Sequence, residues 1–319
     1  MEQIYTFGNY LKEKFGCKVY KVGVNISGFT CPNIDGTVAK GGCTFCENDS
    51  FSASTGETKD LKGFYLNLNS KSNPNLEKQL KQLEFQFNAI SKKQSFEYGA
   101  EKFLVYFQSF TNTYAPFETL KALYDKALSF NNVVGISVGT RSDSITDETL
   151  DYLASLSKTK EIWIEFGIQS VFDETLKKIN RGHTSKNVKE WILKAKSKGL
   201  NVCGHLIFGL PDESKEMMLH TAAQAYSWGI DSVKYHPLYI VKKTSLANDF
   251  LKGKFTPISE SDYIEVLIES MLIKPKNISV QRVTAGIDDD SLLAPQWCRC
   301  KNNQIININS ALKKQGLKY

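Results

Sequence analysis

Three of the seven cysteines lie within sixteen residues, in the string Cys31-Pro-Asn-Ile-Asp-Gly-Thr-Val-Ala-Lys-Gly-Gly-Cys43-Thr-Phe-Cys46, just after a strand-like run. Thiolates at this density point to a metal, and they suit zinc or an iron–sulfur cluster. Structural zinc and an ordinary four-iron cluster each take four protein ligands, whereas this loop supplies three. A cluster held by three thiolates keeps one iron open, and an open iron can chelate a small molecule. A zinc knuckle completed by Cys298 or Cys300 is the other reading of the same residues. Eleven residues separate Cys31 from Cys43, and Gly36, Gly41 and Gly42 among them can take backbone conformations barred to other residues, so the insert can fold back.

The elements that must carry this loop belong to an ordinary globular chain. At 319 residues, 41% hydrophobic and 23% charged, it can bury a core as one barrel-sized domain or two smaller ones. No apolar run reaches membrane-spanning length, and Met1-Glu-Gln-Ile-Tyr5 lacks the basic-then-apolar pattern of a signal sequence. A cytoplasmic chain with no membrane partner is therefore expected. An odd cysteine count, clustered like ligands rather than spread like a disulfide framework, agrees with a reducing compartment. Cys17 and Cys203 are expected to pack as small apolar groups. The net charge of +6 is modest, but Lys and Arg are dense from Lys177 to Lys198 and recur at Lys301, Lys313, Lys314 and Lys318. That pattern is compatible with a polyanion such as RNA and equally with a solvated helix face.

An N-terminal segment, 1–17, precedes a strand over Val19 to Ile26. Further β-rich runs follow at Phe103–Gln108, Val133–Val138, Ile162–Phe166, Val202–Phe208 and Ser232–His236. Helical patterns occupy Leu76–Lys93, Phe117–Ser129, Asp147–Leu156, Lys186–Lys198 and Lys215–Trp228, with a polar connector near Asn67 to Asn75. Six βα repeats predict an α/β fold: a parallel sheet of near-continuous apolar strands, too few for a closed eight-stranded barrel, hence an open partial (βα)6 barrel over 18–240. Residues 241–319, with a helix at Glu260–Ile273, a strand-like Ile278–Val283 and a helical tail from Ile305, read as a C-terminal extension covering the barrel mouth or closing its edge.

Ligands of parallel α/β folds sit beyond the carboxyl ends of the strands. The residues there are polar or glycine: Gln108-Ser-Phe-Thr-Asn-Thr-Tyr114, Gly139-Thr-Arg-Ser-Asp143, Gly167-Ile-Gln-Ser170 and Gly209-Leu-Pro-Asp-Glu213. Together with Cys43-x2-Cys46, the aromatic Phe45, and Asn180-Arg181-Gly-His183-Thr184, these strings resemble the radical S-adenosylmethionine (SAM) superfamily. The branch is the one that includes the Elongator catalytic subunit and oxygen-independent coproporphyrinogen oxidase, and the small bacterial YtqA/YhcC family within it is the most similar. The long Cys31-to-Cys43 insert departs from the usual Cys-x3-Cys-x2-Cys spacing.

The resemblance implies a 4Fe–4S cluster on Cys31, Cys43 and Cys46, SAM on its open iron, and an electron donor such as a flavodoxin or ferredoxin. It places Gln108 and Ser109 at the SAM amino group, Gln169 and Ser170 at the ribose, Arg181 at the methionyl carboxylate and Ile207 and Gly209 beside the adenine. His236, within the sixth strand, is open to two readings, a catalytic group or a hydrogen-bonded core histidine, and shares a face with Lys234. The implied reaction is reductive cleavage of SAM to a 5′-deoxyadenosyl radical, with a modified wobble uridine of tRNA as substrate. Two alternatives stand beside it. One is a small carboxylated substrate such as a tetrapyrrole, held by Arg282 or Lys234; the other is a zinc-stabilised RNA-binding module without catalysis.

Overall fold

The computed structural model describes residues 1–47, 64–66, 68, 70 and 72–319. The connector expected near Asn67 to Asn75 lies partly outside them. Seven strands form one all-parallel sheet in sequential order: β1 (Val19–Val24), β2 (Lys102–Phe107), β3 (Val133–Thr140), β4 (Glu161–Gln169), β5 (Asn201–Phe208), β6 (Ser232–Pro237) and β7 (Ser279–Arg282). The main helices are α1 (Phe7–Phe15), α2 (Leu76–Tyr98), α3 (Phe117–Leu128), α4 (Asp147–Leu156), α5 (Ser185–Ser197), α6 (Lys215–Ser227), α7 (Glu260–Leu272) and α8 (Lys301–Lys314). Their starts are written in the sequence. Thr146, Thr184, Ser214 and Ser259 each turn a side-chain oxygen onto a backbone N–H of the first turn of α4, α5, α6 and α7.

The α/β half-barrel matches expectation, with two differences. The sheet has a seventh strand, since Ser279–Arg282, read from sequence as part of the extension, pairs parallel with β6. Its outer edge is then met by the N-terminal segment, where Val280 donates to the Tyr5 carbonyl at 2.9 Å and Thr6 bridges Val280. The strand bodies also alternate instead of being apolar throughout. One face carries Val22, Val105, Phe107, Ile136, Val138, Ile164 and Phe166, all fully buried in a core with Leu83, Leu120, Leu123 and Ile192 of the surrounding helices.

The other face turns inward, in layers. Lowest is an apolar plug, where Leu104, Trp163 and Cys203 pack against Phe7 and Leu11 of α1. Phe7 and Tyr10 meet Trp163 edge-on at 4.9 and 5.5 Å, contacts of about 0.5–1.5 kcal/mol each beyond area burial. Above it lies a charged layer of Lys21, Tyr106, Ser137, Glu165, His205 and Lys234. That Lys21 of β1 reaches both Glu165 of β4 and, at 2.6 Å, Gln281 of β7 shows how far the sheet curls. The carboxyl ends of the strands form the top.

Candidate functional site

Cys31 caps the short helix Pro32–Asp35, and Ile34 and Asp35 donate to its carbonyl at 2.8 and 3.1 Å. Gly36, Gly41 and Gly42 then take φ values of +91°, +84° and +75°, and Gly42 N–H closes the loop on the Asn33 carbonyl at 2.8 Å. The left-handed turns return the chain on itself, and Cys31, Cys43 and Cys46 line one cavity of about 160 Å³.

The loop is held from β4's far end. Asn33, fully buried, donates to the Asn180 and Arg181 carbonyls at 2.5 and 3.0 Å and faces the Cys43 sulfur at 3.6 Å. Asn180 returns the contact to the Lys40 and Gly42 carbonyls at 3.0 and 2.7 Å. Arg141 grips Asp143 through two nitrogens, at 2.8 and 2.6 Å, and the Arg181 carbonyl at 2.7 Å. Burial alone would raise the Asp143 carboxyl, but the bidentate Arg141 guanidinium holds it below the usual range. The Thr140-Arg141-x-Asp143 string thus positions the cysteine loop.

Arg181 places Nη1 3.7 Å from the Cys43 sulfur and Nη2 3.1 Å from the Gly167 carbonyl. Gly167 makes this possible, because a Cβ there would lie 2.5 Å from Arg181 Nη2 and 2.7 Å from Gln169 Nε2. Gln169 itself sits at φ +65°. A larger cavity of about 610 Å³ adjoins the cysteines and is lined by Cys43, Phe45, Cys46, Gln108, Gln169, Arg181, Ile207 and His236. Nine residues singled out from sequence therefore meet at two adjoining cavities.

Ser109, Ser170 and Gly209 line neither cavity. Ser109 is buried with its hydroxyl unpartnered. Ser170 follows a register irregularity between Gly167 and Gln169; its hydroxyl is bound to Glu213 and accepts from Phe172 N–H at 3.1 Å. Gly209, at φ +88°, sits where a Cβ would meet Ile258 at 2.6 Å, and it lines a separate cavity with Glu213. Burial pushes the Glu213 carboxyl from the usual 4.5 up to about 7.

The donor set fits a cationic cluster better than one zinc ion. Burial, with the neighbouring Cys43 and Cys31 sulfurs, pushes the Cys46 thiol up to about 12, so three ionised sulfurs here call for a cationic partner. Sulfurs around one tetrahedral zinc would stand about 3.8 Å apart, given Zn–S near 2.3 Å. Among the described residues the one set of three such ligand atoms within 4.8 Å of one another is Glu165, Cys203 and His205, so neither the cysteine loop nor its union with Cys298 or Cys300 makes a one-ion site. Cys298 is buried beside Tyr239, Val241 and Leu292, and Cys300 is exposed. Three residues that line the cavity with the cysteines carry buried atoms without partners: Arg181 Nε, Arg141 Nη1 and Gln169 Oε1. Such atoms are costly unless a ligand meets them.

Sequence reasoning missed the charged layer beneath. Glu165, fully buried, receives Lys21 and Lys234 ammoniums and His205 Nε2 at 2.7 Å. Burial would raise its carboxyl, but the two lysines hold it well below the usual range. Lys234, lowered by burial to about 7 against the pull of Glu165, also donates to Tyr106 at 3.1 Å. Both Glu165 oxygens are thus engaged by Lys21, Lys234 and His205 in an ion network, while Cys203 packs in the apolar plug below. Tyr106 and His205 also line both cavities. The available signal was parity, since Glu165, Gly167 and Gln169 occupy alternate positions and so share one strand face. His236, half-buried 5.9 Å from His205, is held neutral by burial and by Arg282.

The basic run from Lys177 to Lys198 is largely neutralised: Lys178, Lys194, Lys196 and Lys198 pair with Asp212, Asp147, Asp231 and Asp151. No helix among the described residues is long and apolar enough to cross a membrane.

Comparison with known proteins accords with this geometry. The profile of the radical SAM superfamily matches residues 36–225, and that of the Radical_SAM C-terminal domain matches 230–314. YtqA of Bacillus subtilis (strain 168) is 34% identical over 315 residues, covering 99% of this chain and 91% of its own. The tRNA uridine(34) acetyltransferase of Methanocaldococcus infernus is 29% identical over 157 residues, 48% of this chain and 29% of its own. The solved structure of Elp3 from M. infernus, with residues 1–46 deleted, superposes with a TM-score of 0.60 at 19% identity, over 94% of this chain and 64% of that one, and so shares the fold. The matched profiles and the near-complete alignment with YtqA establish that the chain belongs to the radical SAM superfamily, whose cofactors are a 4Fe–4S cluster and SAM.

Proposed function

We propose that Cys31, Cys43 and Cys46 hold the cluster, and that the enzyme uses SAM to edit the base side chain of a modified wobble uridine in tRNA. The observation that carries the first part is the convergence of three thiols with the unpartnered atoms of Arg181 and Gln169 at one cavity. When bound, the cluster supplies an electron that splits SAM into methionine and a 5′-deoxyadenosyl radical able to abstract hydrogen.

The chain's own residues bind and orient. Arg181 offers a charge-assisted contact to the methionyl carboxylate. Gln108 and Gln169 offer amides to the amino and ribose groups, and Phe45 and Ile207 form apolar wall. Neutral His236 and His205 can donate or accept hydrogen bonds toward a reactant. The wall from Leu238 to Tyr239 and from Thr284 to Gly286 screens the reacting groups from water.

Two findings support the substrate: similarity to a protein whose name specifies tRNA uridine(34), and a roomy cavity at the strand ends that can admit an unstacked base. Lys313, Lys314 and Lys318, none of them in a salt bridge among the described residues, can meet phosphates. Hydrogen abstraction from the side chain of a carboxymethylaminomethyl-type uridine is the opening step we favour. A flavodoxin or ferredoxin is the fitting electron donor, and the unpaired cysteines suit a cytoplasmic setting.

Anaerobic reconstitution should give a brown protein that cleaves SAM under strong reductant, with iron lost in Cys43→Ala and Cys46→Ala. Nucleoside mass spectrometry of tRNA from a deletion strain should show a carboxymethylaminomethyl-uridine precursor accumulating. An unchanged tRNA profile with a porphyrin intermediate building up would replace the uridine by a tetrapyrrole.

A further inference from the structure

We propose that Arg282 and Lys301 form an anion-binding subsite in the part of the large cavity built by the C-terminal segment, seating a carboxylate or phosphate carried by the substrate. Arg282 ends β7, in register beside Lys234 of β6, and Lys301 opens α8; both line the cavity that the cysteines border.

The buried cations around this cavity each have a protein partner. Lys21 and Lys234 share Glu165, Arg141 holds Asp143, and Arg181 rests on the Gly167 carbonyl. Arg282 and Lys301 are different: among the described residues neither enters a salt bridge, and the two repel each other. The Lys301 ammonium is lowered by partial burial of its stem in the cavity wall and then by the Arg282 charge.

Cys300 makes no side-chain cap and the first turn of α8 holds no acidic residue, so its N–H groups add positive potential at the same spot. His205 and His236, on the adjoining wall, are neutral, and the one carboxylate of the layer below, Glu165, is already shared by two lysines. Two cations without a salt bridge among the described residues, side by side at the exposed rim of a concave site, are complementary to an anion. The SAM carboxylate has its own candidate in Arg181, beside Cys43, which leaves the Arg282–Lys301 pair for the substrate.

This inference rests on the uridine reading only for the choice of probes. Isothermal titration of the reconstituted protein with uridine, 5-carboxymethyluridine and uridine 5′-monophosphate separates the two sources of negative charge. Succinate and inorganic phosphate report the subsite without a base. One anionic uridine should bind about tenfold tighter than uridine, with that excess lost in Arg282→Gln and in Lys301→Gln. Tighter binding of the carboxymethyl compound assigns the subsite to a base carboxylate, and tighter binding of the monophosphate assigns it to the nucleotide backbone. Succinate or phosphate binding that both variants abolish, with no uridine bound better than the bare anion, keeps the subsite and removes the uridine. Equal binding of all charged and uncharged probes, unaltered in both variants, overturns it. Both side chains are exposed, and an unchanged thermal midpoint for each variant establishes that folding is retained.

Discussion

Two buried charge networks, one inside the curled sheet and one in the loops beyond its strand ends, are built to opposite ends. Around Glu165, every charged atom is met: two ammoniums and an imidazole converge on one carboxylate, with Ser137 donating to it at 2.6 Å and Gln281 accepting from Lys21. Around Arg141 and Arg181, the guanidiniums are anchored by Asp143 and by main-chain carbonyls, yet Arg141 Nη1 and Arg181 Nε remain buried and unmet. A saturated network binds the strands of the half-barrel together; an unsaturated one of equal burial marks where a ligand belongs.

Breaking the saturated network should have the largest effect. Glu165→Gln strands the Lys21 and Lys234 charges, and we expect a loss of about 3–5 kcal/mol in urea denaturation. A loss below about 1 kcal/mol would mean the layer is not structural.

Glu213 stands between the two cases, with one oxygen bound to Ser170 and the other buried and unpaired. Its carboxyl is raised from the usual 4.5 to about 7, so the folded state binds a proton across that window while the unfolded chain does not. Stability should therefore fall as pH rises from about 4.5 to 7, by about 3 kcal/mol. Glu213→Gln should flatten that slope in denaturation series at several pH values, and an unaltered slope would assign it to another group.

The smallest effect, and the sharpest on the comparison, belongs to Gly167→Ala. The added Cβ meets only the tips of Arg181 and Gln169, which can swing aside at little cost in stability. SAM affinity should fall about tenfold by equilibrium dialysis while the thermal midpoint holds. A variant that binds SAM normally would remove Arg181 and Gln169 from the cofactor's contacts.

The legible part of the site lay in turns. Gly36, Gly41 and Gly42 fold the insert back as their type allows, and Gln108, Gln169 and Ile207 reach the cavity from strand ends where ligands of such sheets bind. Ser170 was less legible. The register irregularity after Gly167 and the positive φ of Gln169 turn its hydroxyl to Glu213, and residue type carries no trace of such a shift. The basic run from Lys177 to Lys198 reads as a polyanion face by count, but the acids that pair with it come from Asp147, Asp151, Asp212 and Asp231 on other elements.

By itself the sequence determined the parallel βα alternation, the three-thiol loop and the strand-end polarity, because each depends on residues close in the chain: hydrophobic period, helix caps and glycine turns. Only the tertiary structure decided that a seventh strand from the C-terminal segment joins the sheet, that Lys21, Glu165 and Lys234 meet, and that Arg282 and Lys301 line the cysteines' larger cavity without a salt bridge among the described residues. Those outcomes depend on the curl of the sheet. Curl brings together side chains more than a hundred residues apart, and the low dielectric of the enclosed space then makes pairing, or its lack, matter.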